Sequence, residues 1–193
     1  MRFSNETPQQ KIISVADKLG IPGIAKQQGS TRVIYDSLPV DGRSVYRFFE
    51  GSNSRVFPFT NVGSFGNKLE VGEVLTVQYI YFNLFNIVDG VTTAITPLGL
   101  GAPSAPITLG DWNFVIGNVQ VVKPTPVVSS NPAFNKNCNS DSNLFIRDTD
   151  LVIPPLLEFI SELKTQSGVT IQSTFLRMTI EGIGSLINTR QPY

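Results

Sequence analysis

The chain contains no histidine. Imidazole is the usual general base near neutral pH and the commonest metal ligand. Its absence excludes Ser-His-Asp and Cys-His arrangements and most zinc sites together. A single cysteine, Cys138, cannot form an intramolecular disulfide, and it lies in a polar stretch, NKNCNSDSN, with Lys136 as its nearest basic neighbour. That setting describes a spectator thiol and not an activated nucleophile. Charge is also scarce: 16% of residues are charged, with 15 basic against 15 acidic, for a formal net charge of zero. Basic residues stand singly (Arg43, Arg47, Arg55, Lys123, Arg147, Lys164, Arg177), which gives no nucleic-acid track and no attraction to an anionic membrane. No run approaches about 18 apolar residues, and no charged segment leads into an apolar one at the start. Neither a membrane span nor a signal peptide is therefore expected.

What is present is strand-forming. Of 193 residues 41% are hydrophobic, Phe (13) far outnumbers Trp (1), and 16 Gly and 13 Pro supply turns. This composition indicates an all-β fold with a real core, organised as one domain plus an arm. A neutral, lightly charged surface protects poorly against self-association, which suits a protein that works inside an assembly.

The chain is organised around NKLEVGEVLTVQYIYFNLFN, Asn67 to Asn86. Val74 to Asn86 hold no Gly or Pro and are rich in β-branched and aromatic types, which predicts a strand about twice the usual length. Simple alternation puts Leu75, Val77, Tyr79, Tyr81, Asn83 and Phe85 on one face. Val74, Thr76, Gln78, Ile80, Phe82 and Leu84 take the other. From Tyr79 onward both faces are mostly apolar, so that half is covered on both sides, by a second sheet or by another subunit.

Residues 1–29 read differently, as an N-terminal arm. Thr7 and Pro8 form a helix start, Ile12, Ile13, Ala16 and Leu19 form a stripe, and Gly20 stops it. A helix of about three turns must pack on something, either its own body or a neighbour. Residues 30–193 then form the body. Strands are expected over TRVIYD (31–36), SVYRFFE (44–50) and RVFPFTN (55–61), with Asp41-Gly42 as a hairpin turn and Pro58 marking an edge or bulge. Val88 to Leu109 reads as a long apolar loop containing Val91, Ile95, Leu98 and Leu100, either folded over its own body or presented to a second chain. Residues 110–124 read as one strand bulged at Gly117, and NLFIRDTDLVIPP as one or two short strands. Residues 156–163 fit helix and strand equally, and 169–187 form a second long strand. Eight strands with unequal loops fit a jelly-roll-like β-sandwich better than an up-and-down barrel.

Chemistry finds little purchase. GLGAP (99–103) lacks the strand-loop-helix context and lysine of a phosphate cradle. The pairs Asp148/Asp150, Glu158/Glu162 and Glu70/Glu73 read as solvated carboxylates, as does Asp141 in NSDSN, which lacks the glycine and closing glutamate of a calcium loop. Trp112, Tyr79 and Tyr81 could stack on a sugar ring, although their apolar neighbours favour a core role. No enzyme, metal or cofactor is expected.

RVFPFTNVGSFGNKLEVGEVLTVQYIYFNL (55–84) and FLRMTIEGIGSLINTRQPY (175–193) resemble capsid-associated proteins of bacteriophages that infect Bacteroidota, including the crAss-like tailed phages. The resemblance carries no catalytic residues. It implies a virion component, made in the host cytoplasm, whose partners are other capsid proteins or copies of itself. Because tailed phages usually build the shell lattice from a different, α/β fold, it implies an auxiliary, decorating or cementing role ahead of a capsid-subunit role. The expected interface comprises Ile12, Ile13, Tyr79, Tyr81, Phe82, Phe85, Val91, Ile95, Leu98 and Leu100, with no nucleic acid, membrane or small-molecule substrate as partner. The alternative from another class is a carbohydrate-binding or receptor-binding module.

Overall fold

The structure is a computed structural model that describes residues 7, 10, 13–14, 28–51, 58–62, 66–70, 72–88, 91–97, 105–127, 145–166, 168 and 170–186. Two antiparallel sheets make an all-β sandwich with very little helix. The larger sheet is built on three long strands, β1 (Gln28–Asp41), β9 (Thr170–Leu186) and β3 (Glu73–Val88), in the order β1-β9-β3. Along the other edge of β3, two strands lie end to end. Strand β7 (Phe145–Ile153) pairs with Leu75–Ile80, and β4 (Val91–Pro97) pairs with Asn83–Val88. The smaller sheet runs β2 (Val45–Phe48), β8 (Phe159–Lys164), β5 (Asp111–Ile116), β6 (Val119–Pro126). One short helix, α1 (Ala105–Thr108), precedes β5.

Aromatic side chains lock the sheets together. Phe82 of β3 meets Phe48 of β2 at 5.9 Å and Trp112 of β5 at 5.6 Å, both edge to face. Phe159 stands 5.2 Å from Phe49 and 6.1 Å from Phe114. Edge-to-face rings satisfy their quadrupoles while removing large apolar areas from water, so the Phe82 contacts fix the spacing of the two layers, while Phe159 packs against Phe49 and Phe114 on the smaller sheet. Trp112, a residue of interest for sugar stacking, is thereby committed to the core, 1% exposed.

The two long strands lie where alternation predicts them, but the faces of β3 do not. Between Val77 and Tyr79 the pairing with β9 shifts by one, so Gln78 is an extra residue in β3. One inserted residue inverts a period of two. Leu75 and Val77 therefore join Ile80, Phe82 and Leu84 in the core between the sheets. Tyr79, Tyr81, Asn83 and Phe85 turn to the outer face.

Several other expectations are corrected. The stretch 88–109 is not one loop. Val91–Pro97 pairs with β3 as β4, and the dipeptide Asp89-Gly90 that links them is itself a hairpin signal. Residues 110–124 form two strands, because Gly117 takes a positive φ of 57° and reverses the chain instead of bulging it. Of RVFPFTN, the described part makes turns and one isolated bridge, Thr60 to Asp36, and no strand. Strand β1 passes through Pro39, which an edge strand tolerates because it pairs on one side only. In 156–163 the strand prevails: Phe159–Lys164 is β8, paired on both sides. The described strands number nine.

In the N-terminal segment, Gln10, Ile13 and Ser14 are helical. The Gln10 N–H donates to Thr7 Oγ1 at 3.3 Å and the Thr7 N–H donates to Gln10 Oε1 at 2.7 Å, a reciprocal cap at the predicted helix start. Ile12 and the rest of the predicted stripe lie outside the described residues.

Candidate functional site

The outer face of the large sheet carries a pocket of about 260 Å³ whose lining includes Tyr35 of β1, Arg177 and Thr179 of β9, and Tyr81, Asn83 and Phe85 of β3. Strand register assembles it. Tyr35, Thr179 and Tyr81 form one cross-strand row, and Ser37, Arg177 and Asn83 form the next. Cross-strand neighbours on one face stand about 5 Å apart, close enough for long side chains to meet.

Arg177 is the hub. Its guanidinium carbon lies 4.2 Å from the ring centroids of both Tyr35 and Phe85. Nε donates to Ser37 Oγ at 3.1 Å and Nη2 to the Pro58 carbonyl at 2.9 Å. Cation–π contacts of this kind contribute about 0.5–2 kcal/mol, more as they are desolvated. No ion pair among the described residues involves Arg177. Burial lowers its pKa, with the phenols of Tyr35 and Tyr81 acting the other way. A guanidinium remains charged throughout the ordinary pH range, so the half-buried site keeps a positive charge. Burial raises the Tyr81 phenol, reinforced by the charge of Glu181 and opposed by its hydrogen bond with Thr179 and the charge of Arg177.

Residues 58–62 do not line the pocket but border Arg177 and the edge of β1. Asn61 behaves as a single residue of strand: its Nδ2 donates to the Val33 carbonyl and its Oδ1 accepts from the Tyr35 N–H, both at 2.7 Å. This closes part of the free edge of β1, which would otherwise offer unpaired backbone groups. Phe59 then packs on Phe175 at 5.0 Å, and Phe175 stacks on Phe85 at 5.4 Å. Phe85 is consequently buried beneath this layer.

A second feature lies at one end of the smaller sheet. The β5–β6 turn and the β7–β8 connection are tied by the Gly117 N–H donating to the Glu158 carbonyl at 2.6 Å. These adjoining loops expose Val119 (64%), Leu156 (51%) and Leu157 (44%). Leu156 also holds a left-handed φ of 61°, an unusual conformation for a bulky residue.

The expected interface residues separate. Tyr79, Tyr81 and Phe85 share the outer face and Phe82 points into the core, but Phe85, covered by Phe175 and Arg177, is as buried as Phe82, each 1% exposed, so neither is available to a partner. Val91 and Ile95 contribute backbone to β4, where Ile95 pairs with Phe85. Ile13 is exposed. Ile12, Leu98 and Leu100 lie outside the described residues. Arg177, Tyr35 and the apolar loop pair were missed from sequence. The only local signal for Arg177 was a lone cation in the otherwise uncharged run STFLRMTI, and nothing near it names its partners.

Among the described residues no three or more Cys, Asp or Glu gather as a metal site, and no helix is long and apolar enough to cross a membrane. Compared with protein-family models, curated proteins and solved structures, the chain matches none.

Proposed function

We propose that the chain is a non-enzymatic structural protein of a virion, an auxiliary decorating or cementing protein or a capsid subunit, built on a jelly roll and working through contacts between subunits. The jelly-roll reading is supported by strand order. With β4 set aside, the sheets read β1-β9-β3-β7 and β2-β8-β5-β6. The first strand pairs with the last and the second with the second-to-last, as when one long hairpin is rolled into two sheets. Strand β4 is then an addition that extends the β3 edge beyond the end of β7.

The observation that carries the functional reading is the apolar loop pair: Val119, Leu156 and Leu157 are exposed together at one end of the sandwich, with Leu156 held in a strained backbone. Exposed apolar groups on adjoining loops gain by being covered, and strained backbone concentrates at contact and functional sites. The lightly charged surface adds little repulsion between copies. Size-exclusion chromatography with light scattering, together with negative-stain micrographs, tests this reading. The wild-type chain is expected to self-associate or to decorate particles, and a Leu156→Asp/Leu157→Asp double variant to do neither while keeping its fold. A wild-type chain that stays monomeric and leaves particles bare would sink the proposal.

A further inference from the structure

We infer that the outer-face pocket around Arg177 is a binding site for a carboxylated sugar, a uronate-type ring whose carboxylate pairs with the guanidinium. The placement of Arg177 gives the charge. Its two faces are occupied by Tyr35 and Phe85, and Nε and Nη2 are anchored to Ser37 and Pro58, so the group is fixed in orientation. Nη1 has no hydrogen-bond partner among the described residues, and no described carboxylate neutralises the charge. Held in this way, Nη1 can donate charge-assisted hydrogen bonds to a carboxylate.

The surrounding groups choose among carboxylates. Arg177 shares the pocket with the phenols of Tyr35 and Tyr81, the amide of Asn83 and the hydroxyl of Thr179, over a floor that includes Phe85. The exposed lining is more apolar than polar, with a few donors and acceptors set among Val33 and the aromatic rings, which suits a ring that has an apolar face as well as hydroxyls. At about 260 Å³ the pocket falls just below the common ligand range of about 300–1,000 Å³, so it takes one ring and not a longer chain. The site lies on the large sheet, whereas the apolar loops lie at the end of the smaller one. Sugar binding and subunit association are therefore separable.

The test uses the full chain and three probes: glucuronate, glucose and acetate, each followed by saturation-transfer difference NMR and isothermal titration. Glucuronate is expected to bind in the millimolar range, with glucose and acetate each weaker by about tenfold or more. Arg177→Lys, which keeps the charge but loses the anchored planar donor, is expected to weaken glucuronate binding by about tenfold. Because Arg177 also anchors residues 58–62, Asn83→Ala and Tyr81→Phe serve as second variants. Each is expected to weaken glucuronate by about threefold to tenfold with an unchanged melting temperature. Acetate binding as tightly as glucuronate would assign the pocket to a bare carboxylate and overturn the sugar assignment. The inference is also overturned by glucose matching glucuronate, by wild-type affinity in all three variants, or by no glucuronate signal at about 20 mM.

Discussion

Gly182 of β9 and Thr76 of β3 approach so closely that a Cβ on Gly182 would stand 1.9 Å from the Thr76 carbonyl oxygen. The contact sits beside the bulge, where Gly182 pairs with Val77 and the register then slips. Only a residue without a side chain lets the two backbones meet there. The pair thus permits the inversion that sends Tyr81, Asn83 and Phe85 to the outer face. Gly182→Ala must push the strands apart, and it is expected to destabilise the fold by about 2–3 kcal/mol, read as a lower urea midpoint. An unchanged midpoint would mean that the bulge does not depend on this glycine.

Asp36 is a buried carboxylate whose oxygens accept from the Phe49 N–H at 2.6 Å and the Ser37 N–H at 3.0 Å. Phe49 itself sits at a φ of 60°, so the bond to Asp36 helps to hold an otherwise unfavourable conformation. Asp36→Ala leaves the Phe49 donor buried without this acceptor and is expected to cost about 2–3 kcal/mol. Asp36→Asn, which retains one carbonyl oxygen, is expected to cost less. Equilibrium urea unfolding of both variants checks the order.

Leu156 combines exposure with left-handed backbone. A glycine there relieves the steric cost but gains freedom in the unfolded chain, so the two effects offset. Leu156→Gly is expected to leave the melting temperature unchanged or slightly raised, while reducing self-association in light scattering. A clear loss of thermal stability would show that the leucine side chain supports the fold itself.

Acid sensitivity follows from Asp41. Hydrogen bonds from the Arg43 side chain, aided by its charge and opposed by slight burial, hold the Asp41 carboxyl below its ordinary value of 3.8. A carboxyl with a lowered folded pKa contributes stability at pH values above its unfolded pKa, and loses it as pH falls through the lowered value. Glu162 behaves alike: burial pushes it up, but Lys164 and Arg47 outweigh burial and lower it. Both groups are exposed enough that the effects are small. Melting temperature is expected to fall from about pH 5 to about pH 3 in the wild type, and Asp41→Asn to reduce that slope without abolishing it. Circular-dichroism melts across the range provide the check; identical slopes would remove Asp41 from the account.

The amino-acid sequence by itself determined the β class, the two long strands and the positive φ of Gly42, 88°, but the hairpin expected at Asp41-Gly42 does not form, because β1 and β2 belong to different sheets. Each is a local property: β-branched and aromatic composition, and a residue that tolerates positive φ. Local pattern failed where pairing partners are distant. One extra residue at Gln78 leaves composition untouched yet exchanges the faces of β3, and only the register against β9, about a hundred residues away, locates it. For the same reason Phe82, which simple alternation sets on the face opposite Leu75 and Val77, shares the core with them. The Arg177 pocket draws its groups from β1, β3 and β9, no two of which are consecutive strands in the chain. A guanidinium between two rings is a property of strand order, so the tertiary structure alone placed it there.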